Sequence, residues 1–189
     1  MQENIAMFMD CGKDSRMIGK KTEEALNGQL NAELYSAYLY LSMAAYFEST
    51  DLPGFANWMR VQFQEEQLHA LKFYDYIIER AAKVILKTIE APPSVWNSPL
   101  AVFEATLKHE QKVTGLINDL VYLARQEKDN ATEIFLQWFV NEQVEEENNV
   151  GTVLGQLKLV KDSPQALYLM DKEMAQRVFT PPASEKGGA

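Results

Sequence analysis

Apolar residues recur at helical spacing through several long stretches of this chain. Leu26, Leu30 and Leu34 begin one broad apolar face that continues into a tyrosine-rich stretch, as expected of an amphipathic helix. No stretch alternates apolar and polar residues as a half-buried strand does. The spacing therefore predicts an all-α protein, with helices over about 20–49, 53–82, 100–128 and 131–160, and a shorter one over about 164–177.

The breaks between these segments carry residues that start and stop helices. Thr22 is predicted to cap the first helix, ahead of two glutamates. Pro53 follows a turn sequence and suits the first turn of the second helix. Asp129 and Asn130 mark a short connection and a cap for the fourth helix, and Pro164 begins the fifth. These residues predict where four of the five helices start.

The helix lengths and the links between them predict the topology. A helix of nearly 30 residues is about 45 Å long, which suits a bundle better than a compact irregular fold. Short links join the first helix to the second and the third to the fourth, so each pair is predicted to be antiparallel. The proline-rich segment 83–98 is long enough to let the second and third helices run parallel. The predicted architecture is a four-helix bundle with one long crossover and a short fifth C-terminal helix.

Composition limits the cellular setting. The 189 residues suit one domain, and a hydrophobic fraction of 47% is ordinary for a soluble protein. No apolar run approaches the roughly 18 residues that cross a bilayer, and the apolar patch near the N-terminus is too short and too acidic for a secretory signal. The single cysteine, Cys11, cannot form an internal disulfide and is interpreted as incidental. A cytoplasmic protein without a membrane partner is predicted.

The charge balance narrows the class of partner. The formal net charge is −9, whereas nucleic-acid binding needs clustered Lys and Arg to neutralise phosphates. Metal cations are the more natural partners of such a chain, although acidity also favours solubility by itself. We therefore expect no nucleic-acid partner and look for metal ligands.

One candidate metal motif lies on the second helix. Glu66 and His69 are three residues apart, so they share a helix face with Cβ atoms about 5–6 Å apart and can hold one ion together. A single Glu-x-x-His is a weak signal, because it occurs by chance on solvated helices. Glu33, on the first helix, precedes the pair by 33 and 36 residues. It extends the motif to a second helix.

The second half of the chain repeats this spacing. Glu110 precedes Gln143 and Glu146 by the same 33 and 36 residues. A bundle of two related hairpins would bring both sets to one level of its core, which is the di-iron carboxylate arrangement. Buried carboxylates are costly unless cations balance them, and oxygen-rich ligation with one imidazole suits iron or manganese better than tetrahedral zinc. A metal-free bundle used only for assembly is the weaker alternative, since buried polar groups need partners.

Four segments together resemble the non-haem ferritins of bacteria and archaea: residues 31–40, 65–69, 108–110 and 135–147. They occur in the family's order and at its spacing, and the resemblance covers about 17–177. It implies a ferritin-like di-iron domain over 17–178, with a flexible extension at 1–16 and a flexible tail at 179–189.

The resemblance also implies a function. It is that of a ferroxidase, which oxidises Fe(II) with O2 or H2O2 and stores ferric mineral inside a cage of twenty-four subunits. Beside the di-iron centre it implies a third iron site at Glu65, Glu142 and Glu145, and a tyrosine, Tyr40, that supplies an electron. The implied di-iron ligands are Glu33 and His69 for the first iron, Glu66 as the bridge, and Glu110, Glu146 and, weakly, Gln143 for the second.

Related di-iron families are alternatives to storage. Bacterioferritins have a histidine where Glu146 stands and a haem-ligating methionine where Gln67 stands, so haem is not expected here. Rubrerythrins add a Cys-rich module, which one cysteine cannot make. A rubrerythrin-like oxidase or peroxidase, or an oxygenase acting on an organic substrate, would lack storage. An oxygenase would need an apolar pocket beside the metals, and the sequence leaves that possibility open.

Three nearby residues are kept outside the predicted centre. His109 points about 100° away from the neighbouring glutamate on its helix, so we interpret it as a core or surface histidine. Glu147 is interpreted as part of a solvated acidic face. Trp138 matches an aromatic residue of the family, but most buried aromatic side chains belong only to the core.

Overall fold

The structure, a computed structural model, describes residues 18–160 and 162–181. Neither range contains a strand, so the predicted all-α class is confirmed. The predictions for 1–16, Cys11 and most of 179–189 lie outside the described residues. The helices are α1 (Lys20–Ser49), α2 (Pro53–Glu79), α3 (Pro99–Gln126), α4 (Asn130–Val160) and α5 (Pro164–Met174).

Three predicted helix starts are confirmed by their local contacts. Pro53 stands in the first turn of α2, where its missing N–H costs nothing. Asp129 accepts a hydrogen bond from the Thr132 N–H at 3.1 Å and so caps α4. The Ser163 hydroxyl oxygen accepts one from the Ala166 N–H at 3.3 Å and caps α5.

The predicted cap of α1 is wrong. Gly19 precedes the helix, and within 18–160 and 162–181 no side chain caps it. Thr22 lies inside the first turn and is buried, so its hydroxyl is turned toward the bundle instead of the helix end. Three ends also differ from prediction: α2 and α5 each stop three residues early, and α3 stops two residues early. Ala81 adopts a left-handed conformation with φ 54°, which terminates α2.

The helices have the predicted topology. α1 packs along α2 and α3, α4 packs along α3, and α5 lies against α2 and α4. Contacts between α1 and α3 run in opposite order, because Ser36 meets His109 while Met43 meets Thr106. Since α1 is antiparallel to both α2 and α3, these two are parallel. Residues 82–98, which contain no helix or strand, form the crossover between them.

The bundle core consists of two apolar clusters separated by a polar layer. One cluster contains Phe47, Phe55 and Phe103, and the other contains Leu26 and Phe73. On each of the four long helices, the residues of the layer lie between the two clusters in sequence. Its members are 5% exposed or less: Glu33, Gln62, Glu66, His69, Glu110, Gln143 and Glu146.

An aspartate fastens the fifth helix to the bundle. Asp171 accepts hydrogen bonds from the N–H groups of Gly54 and Phe55 at 2.7 and 3.0 Å. It therefore caps α2, whose own preceding residue supplies no side-chain cap. A Cβ on Gly54 would lie 1.7 Å from the Asp171 carbonyl oxygen, so only glycine allows this close approach. The contact fixes α5 on the N-terminal end of α2.

Within the described ranges, none of the helices combines the length and apolar character needed to cross a membrane.

Candidate metal centre

Helices α1 and α2 bring three predicted ligands together. One potential ligand atom each of Glu33, Glu66 and His69 lies within 4.8 Å of the other two. Glu33 continues the inward face that begins with Leu26 and Leu30, one helical turn further along. Glu66 and His69 share a face of α2 that points at Glu33. The three residues are 1%, 2% and 4% exposed, so their charges are shielded from water.

This group has oxygen atoms without a hydrogen-bond donor. Glu33 accepts one hydrogen bond at Oε1, from Gln29 Nε2 at 2.8 Å. Among the described residues, Glu33 Oε2 and Glu66 Oε2 are buried and have no hydrogen-bond partner. His69 Nδ1 lies 3.5 Å from Glu66 Oε2, which permits a charge contact but not a good hydrogen bond. Two unpartnered carboxylate oxygens beside an imidazole fit a divalent cation.

The predicted ligands of the second half lie in the same layer but have hydrogen-bond partners. The Tyr40 hydroxyl donates a short hydrogen bond to Glu110 Oε1, and Gln143 Nε2 donates one to Glu110 Oε2 at 3.3 Å. Gln62 Nε2 donates a hydrogen bond to Glu146 Oε2 at 2.8 Å. Neutral donors thus occupy three of the carboxylate oxygens that a second cation would use.

Burial shifts the protonation of all four carboxyl groups. Together with the charge of a neighbouring carboxylate, it raises the pKa of Glu33, Glu110 and Glu146 to about 8 each. Burial also raises the pKa of Glu66. Without a cation, the layer therefore retains protons near neutral pH, and a bound metal ion would replace them.

His69 is subject to opposing effects. Burial lowers the pKa of its imidazole, but the nearby carboxylates of Glu142 and Glu66 outweigh burial and raise the pKa well above its usual value. The Glu142 carboxylate lies 3.7 Å from Nε2. Protons therefore compete with metal for this ligand, since only the deprotonated nitrogen can bind an ion.

The three residues predicted to form an outer iron site surround a cavity beside His69. The cavity has a volume of about 370 Å³, and Glu65, Glu142 and Glu145 all line it. Glu145 is exposed, whereas the other two are half-buried. Glu65 forms an ion pair with Arg177, whose Nη2 lies 2.7 Å from the Glu65 Oε2. The structure therefore brings the three carboxylates together but pairs one of them with an arginine.

The three residues that were predicted to lie outside the centre differ in their burial and contacts. His109 is half-buried, with Nε2 2.8 Å from the Ser36 hydroxyl, and desolvation lowers its pKa to about 4; it lies outside the polar layer, at the edge of the core. Trp138 meets the ring of His69 edge-on at 5.3 Å. The solvated interpretation of Glu147 is wrong, because it is half-buried and accepts a hydrogen bond from the Thr114 hydroxyl at 2.6 Å.

Sequence reasoning missed three residues that touch the centre. Gln29 and Gln62 each donate to one of its carboxylates, and Arg177 pairs with Glu65. A usable signal existed for the glutamines, since each lies four residues before a predicted ligand on an otherwise apolar face. For Arg177, 112 residues from Glu65 in sequence, we find no such signal.

The chain is similar to known ferritins along most of its length. A family model described as a ferritin-like domain matches residues 23–160. A bacterial non-heme ferritin of Bacteroides fragilis (strain 638R) is 42% identical over 161 residues, covering 85% of this chain and 100% of that protein. A bacterial non-heme ferritin of Staphylococcus aureus (strain USA300) is 42% identical over 163 residues, covering 86% and 98%.

Solved structures give the same result. A ferritin of Archaeoglobus fulgidus, engineered into a closed form by site-directed mutagenesis, superposes with a TM-score of 0.85 and 55% identity, covering 86% of this chain and 99% of that one. An open-pore ferritin of the same hyperthermophilic archaeon gives a TM-score of 0.85 and 53% identity, with the same coverage. Every residue of the polar layer lies inside the segment 23–160.

Proposed function

This chain belongs to the non-haem ferritins of bacteria and archaea, and on that basis we propose that it stores iron and oxidises Fe(II) in the polar layer of its bundle. The observation that carries the proposal is the pair of buried carboxylate oxygens on Glu33 and Glu66, beside the His69 imidazole, that have no hydrogen-bond partner in the described part of the chain. When ionised, such a group is unfavourable in a protein core unless a cation binds to it. Ferrous ion is here the substrate.

The proposed roles follow the two halves of the layer. Glu33 and His69 bind the first ferrous ion, and Glu66, which is buried in the same layer on α2, bridges to the second. Glu110 and Glu146 bind the second ion, with Gln143 as a weak ligand or donor at its margin. These groups hold two ions side by side for one oxidant, as two-metal sites do.

The electrons balance as follows. Each of two ferrous ions gives up one electron, and O2 takes both electrons with two protons to leave as H2O2. When H2O2 is the oxidant, it takes two electrons and two protons and yields two water molecules. Tyr40 donates a hydrogen bond to Glu110, so its ring is close enough to the second ion to supply one electron and its hydroxyl proton when O2 is reduced fully to two water molecules. The other three electrons then come from three ferrous ions, two at the inner centre and one at the third iron site, and three further protons come from water.

Iron storage requires a path by which ferric ions leave the centre and a cavity in which the mineral collects. We propose that ferric ions leave through Glu65, Glu142 and Glu145, which line the cavity beside His69. They then collect as mineral inside a homo-oligomeric cage of twenty-four subunits. Similarity to ferritins over nearly their full length supports the cage. We propose that the protein is cytoplasmic and binds no haem.

The alternative is a di-iron oxidase, peroxidase or oxygenase without storage. An oxygenase would need room for an apolar substrate beside the ions. The cavity that reaches His69 is instead lined by Glu65, Glu142, Glu145 and Arg177 among others, which suits ions better. This observation favours storage.

Anaerobic loading with Fe(II) followed by oxygen distinguishes the two. We expect about two ions per chain to be oxidised quickly, followed by slower uptake of far more iron than the chain has ligands. If uptake stops at two ions per chain, storage is wrong and the oxidase alternative gains support.

A substitution tests the bridging role. Glu66→Ala should abolish the fast phase while the assembled particle remains, because the substitution removes a ligand of both ions. The matched control is Glu104→Ala, since Glu104 is an exposed glutamate of α3 outside the polar layer. Fast oxidation that persists in Glu66→Ala would contradict the assignment of the bridge.

A further inference from the structure

The chain that follows α5 returns to the acidic cavity beside the metal centre. Arg177, Phe179 and Thr180 line this cavity together with Glu65 and Glu142. Arg177 Nη2 lies 2.7 Å from Glu65 Oε2. The guanidinium thus pairs with a carboxylate that the proposed outer site would use as a ligand.

Several contacts independent of Glu65 hold Arg177 in place. The Asn57 side-chain amide donates a hydrogen bond to the Arg177 carbonyl at 2.9 Å. Asp171 fastens the preceding helix through two N–H groups at the start of α2. These contacts fix the backbone, so the arginine does not need its salt bridge to stay at the cavity.

The environment of the guanidinium allows the ion pair between Arg177 and Glu65 to separate and to form again. Its centre lies 4.5 Å from the centroid of the Trp58 ring, which provides a second favourable contact for the cation. Among the described residues, its buried Nη1 has no hydrogen-bond partner. The side chains of Arg177 and Glu65 are 21% and 23% exposed, so water can partly compensate either charge when they separate.

We propose that Arg177 is a built-in cation that competes with metal ions for Glu65 and so weakens metal binding at the outer cluster of Glu65, Glu142 and Glu145. This inference rests on the proposed function, because it concerns the proposed exit path. A metal ion must displace the guanidinium to bind Glu65, and the guanidinium returns when the ion leaves. Arg177 is therefore a positioning residue that keeps the outer site from retaining its ion.

A purely structural role for the pair makes a different prediction. In that case the salt bridge only secures the C-terminal segment, and its loss lowers stability without changing metal affinity. The backbone contact from Asn57 and the clamp of Asp171 already secure this segment, which is why we favour competition. Metal affinity of the outer site separates the two roles.

The test is a calorimetric titration of the metal-free, assembled protein with Zn(II), which binds these ligands without redox chemistry. In the unmodified protein we expect the ions of the inner centre to bind first and the outer ion to bind more weakly. In Arg177→Gln the outer ion should bind about two- to fivefold more tightly, as expected for release of one partly screened ion pair. Glu65→Gln should weaken the outer ion in either background.

The matched control is Arg60→Gln. Arg60 pairs with Glu48 at 2.9 Å on the exposed surface, so its loss removes the same charge away from the cavity. The control should leave every Zn(II) affinity unchanged. Inner ions that bind normally while the outer affinity is the same in Arg177→Gln and the unmodified protein would overturn the proposal. Failure of the inner ions to bind in the unmodified protein would instead count against the proposed function.

A second measurement covers the case in which Arg177→Gln does not assemble. Crystals of the unmodified protein soaked in Zn(II) should show an ion at Glu65 and the Arg177 guanidinium turned away from it. A bound ion at Glu65 with the 2.7 Å contact intact would refute the competition. Arg177→Lys, which retains the charge but not the planar fork, should give an outer affinity between those of the unmodified protein and Arg177→Gln.

Discussion

The two hairpins of the bundle carry the same spacing of polar residues but differ in chemistry. Glu33 precedes Glu66 and His69 by 33 and 36 residues. Glu110 precedes Gln143 and Glu146 by the same numbers of residues. The first hairpin has an imidazole and two carboxylate oxygens that lack a hydrogen-bond partner among the described residues. In the second, hydrogen bonds from Tyr40 and two glutamines occupy the carboxylates.

The difference predicts unequal binding of two ions. An ion at the first hairpin meets ligand atoms that are already close together and partly unsatisfied. An ion at the second displaces hydrogen bonds, each with a net value of about 1 kcal/mol, and finds no imidazole. We therefore expect the second ion to be held more loosely, which suits a centre that must release its ferric product.

The largest expected effect comes from removing the imidazole. His69→Ala should weaken the tighter of the two ions by about 100-fold or more, because a ligand is lost outright and second-shell changes alone cost about 10–100-fold. Gln143→Ala should change either affinity by less than about tenfold. Titration with Zn(II) measures both variants. If the two substitutions weaken metal binding equally, the predicted difference in metal affinity between the hairpins is wrong.

Next in size is the pH dependence of the metal-free protein. The pKa of Glu33, Glu110 and Glu146 is raised from 4.5 to about 8. Between these values the folded state binds more protons than the unfolded state, so stability must fall as pH rises. The melting temperature should therefore decrease from pH 5 to about pH 8.

Zn(II) provides the internal control for this pH experiment. Saturation with Zn(II) keeps the glutamates of the polar layer deprotonated in the folded state, as they already are in the unfolded state above about pH 5. The loaded protein should therefore lose the decrease in stability over this range. Parallel pH profiles with and without Zn(II) would mean that the ion binds elsewhere.

A smaller effect, on stability, is expected from substitution of Gln62, which donates a hydrogen bond to Glu146 of the second hairpin. Gln62→Leu leaves Glu146 Oε2 without its donor, so the metal-free protein should lose about 1–3 kcal/mol of unfolding free energy. The loss should shrink when Zn(II) is bound, because the ion then satisfies the carboxylate. Chemical denaturation with and without the ion measures this. A loss that is identical in both conditions would show that Gln62 acts only through packing.

The smallest effect on stability is expected at Tyr40. Tyr40→Phe removes one hydrogen bond to Glu110, worth about 1 kcal/mol, while the two-ion binding remains. Its distinctive result is spectroscopic: a transient tyrosyl radical signal after oxygen addition should disappear in this variant. Tyr122→Phe, at a residue 64% exposed on α3, is the control and should retain the signal. A signal that persists in Tyr40→Phe would rule out this tyrosine as the electron donor.

Sequence periodicity predicted most of the fold because burial repeats along each helix. The five helices and their topology were predicted from apolar spacing and from link lengths, and the two sets of polar residues were placed in the core correctly. The cap at Thr22 was predicted incorrectly because a threonine before two glutamates looks like a helix start whether or not it faces the core. Periodicity shows which residues of a helix face the core, but it does not show at which residue the helix begins.

Contacts between hairpins could not be predicted in the same way. The hydrogen bond from Gln62 to Glu146 and the pairing of Arg177 with Glu65 depend on how two distant segments are rotated and shifted against one another. Spacing along one helix carries no information about that arrangement. The ligand roles themselves, including those of Gln143, Glu142 and Glu145, remain predictions.

Calorimetric titration of the assembled protein with Fe(II), under strict exclusion of oxygen, measures the difference between the two hairpins. We expect two ions per chain at the inner centre, with affinities that differ by about tenfold or more. In His69→Ala the tighter ion should bind about 100-fold more weakly or not at all, whereas the affinity of the other ion should change little. Two ions of equal affinity in the unmodified protein, or a single ion per chain, would show that the hairpins do not differ in this way.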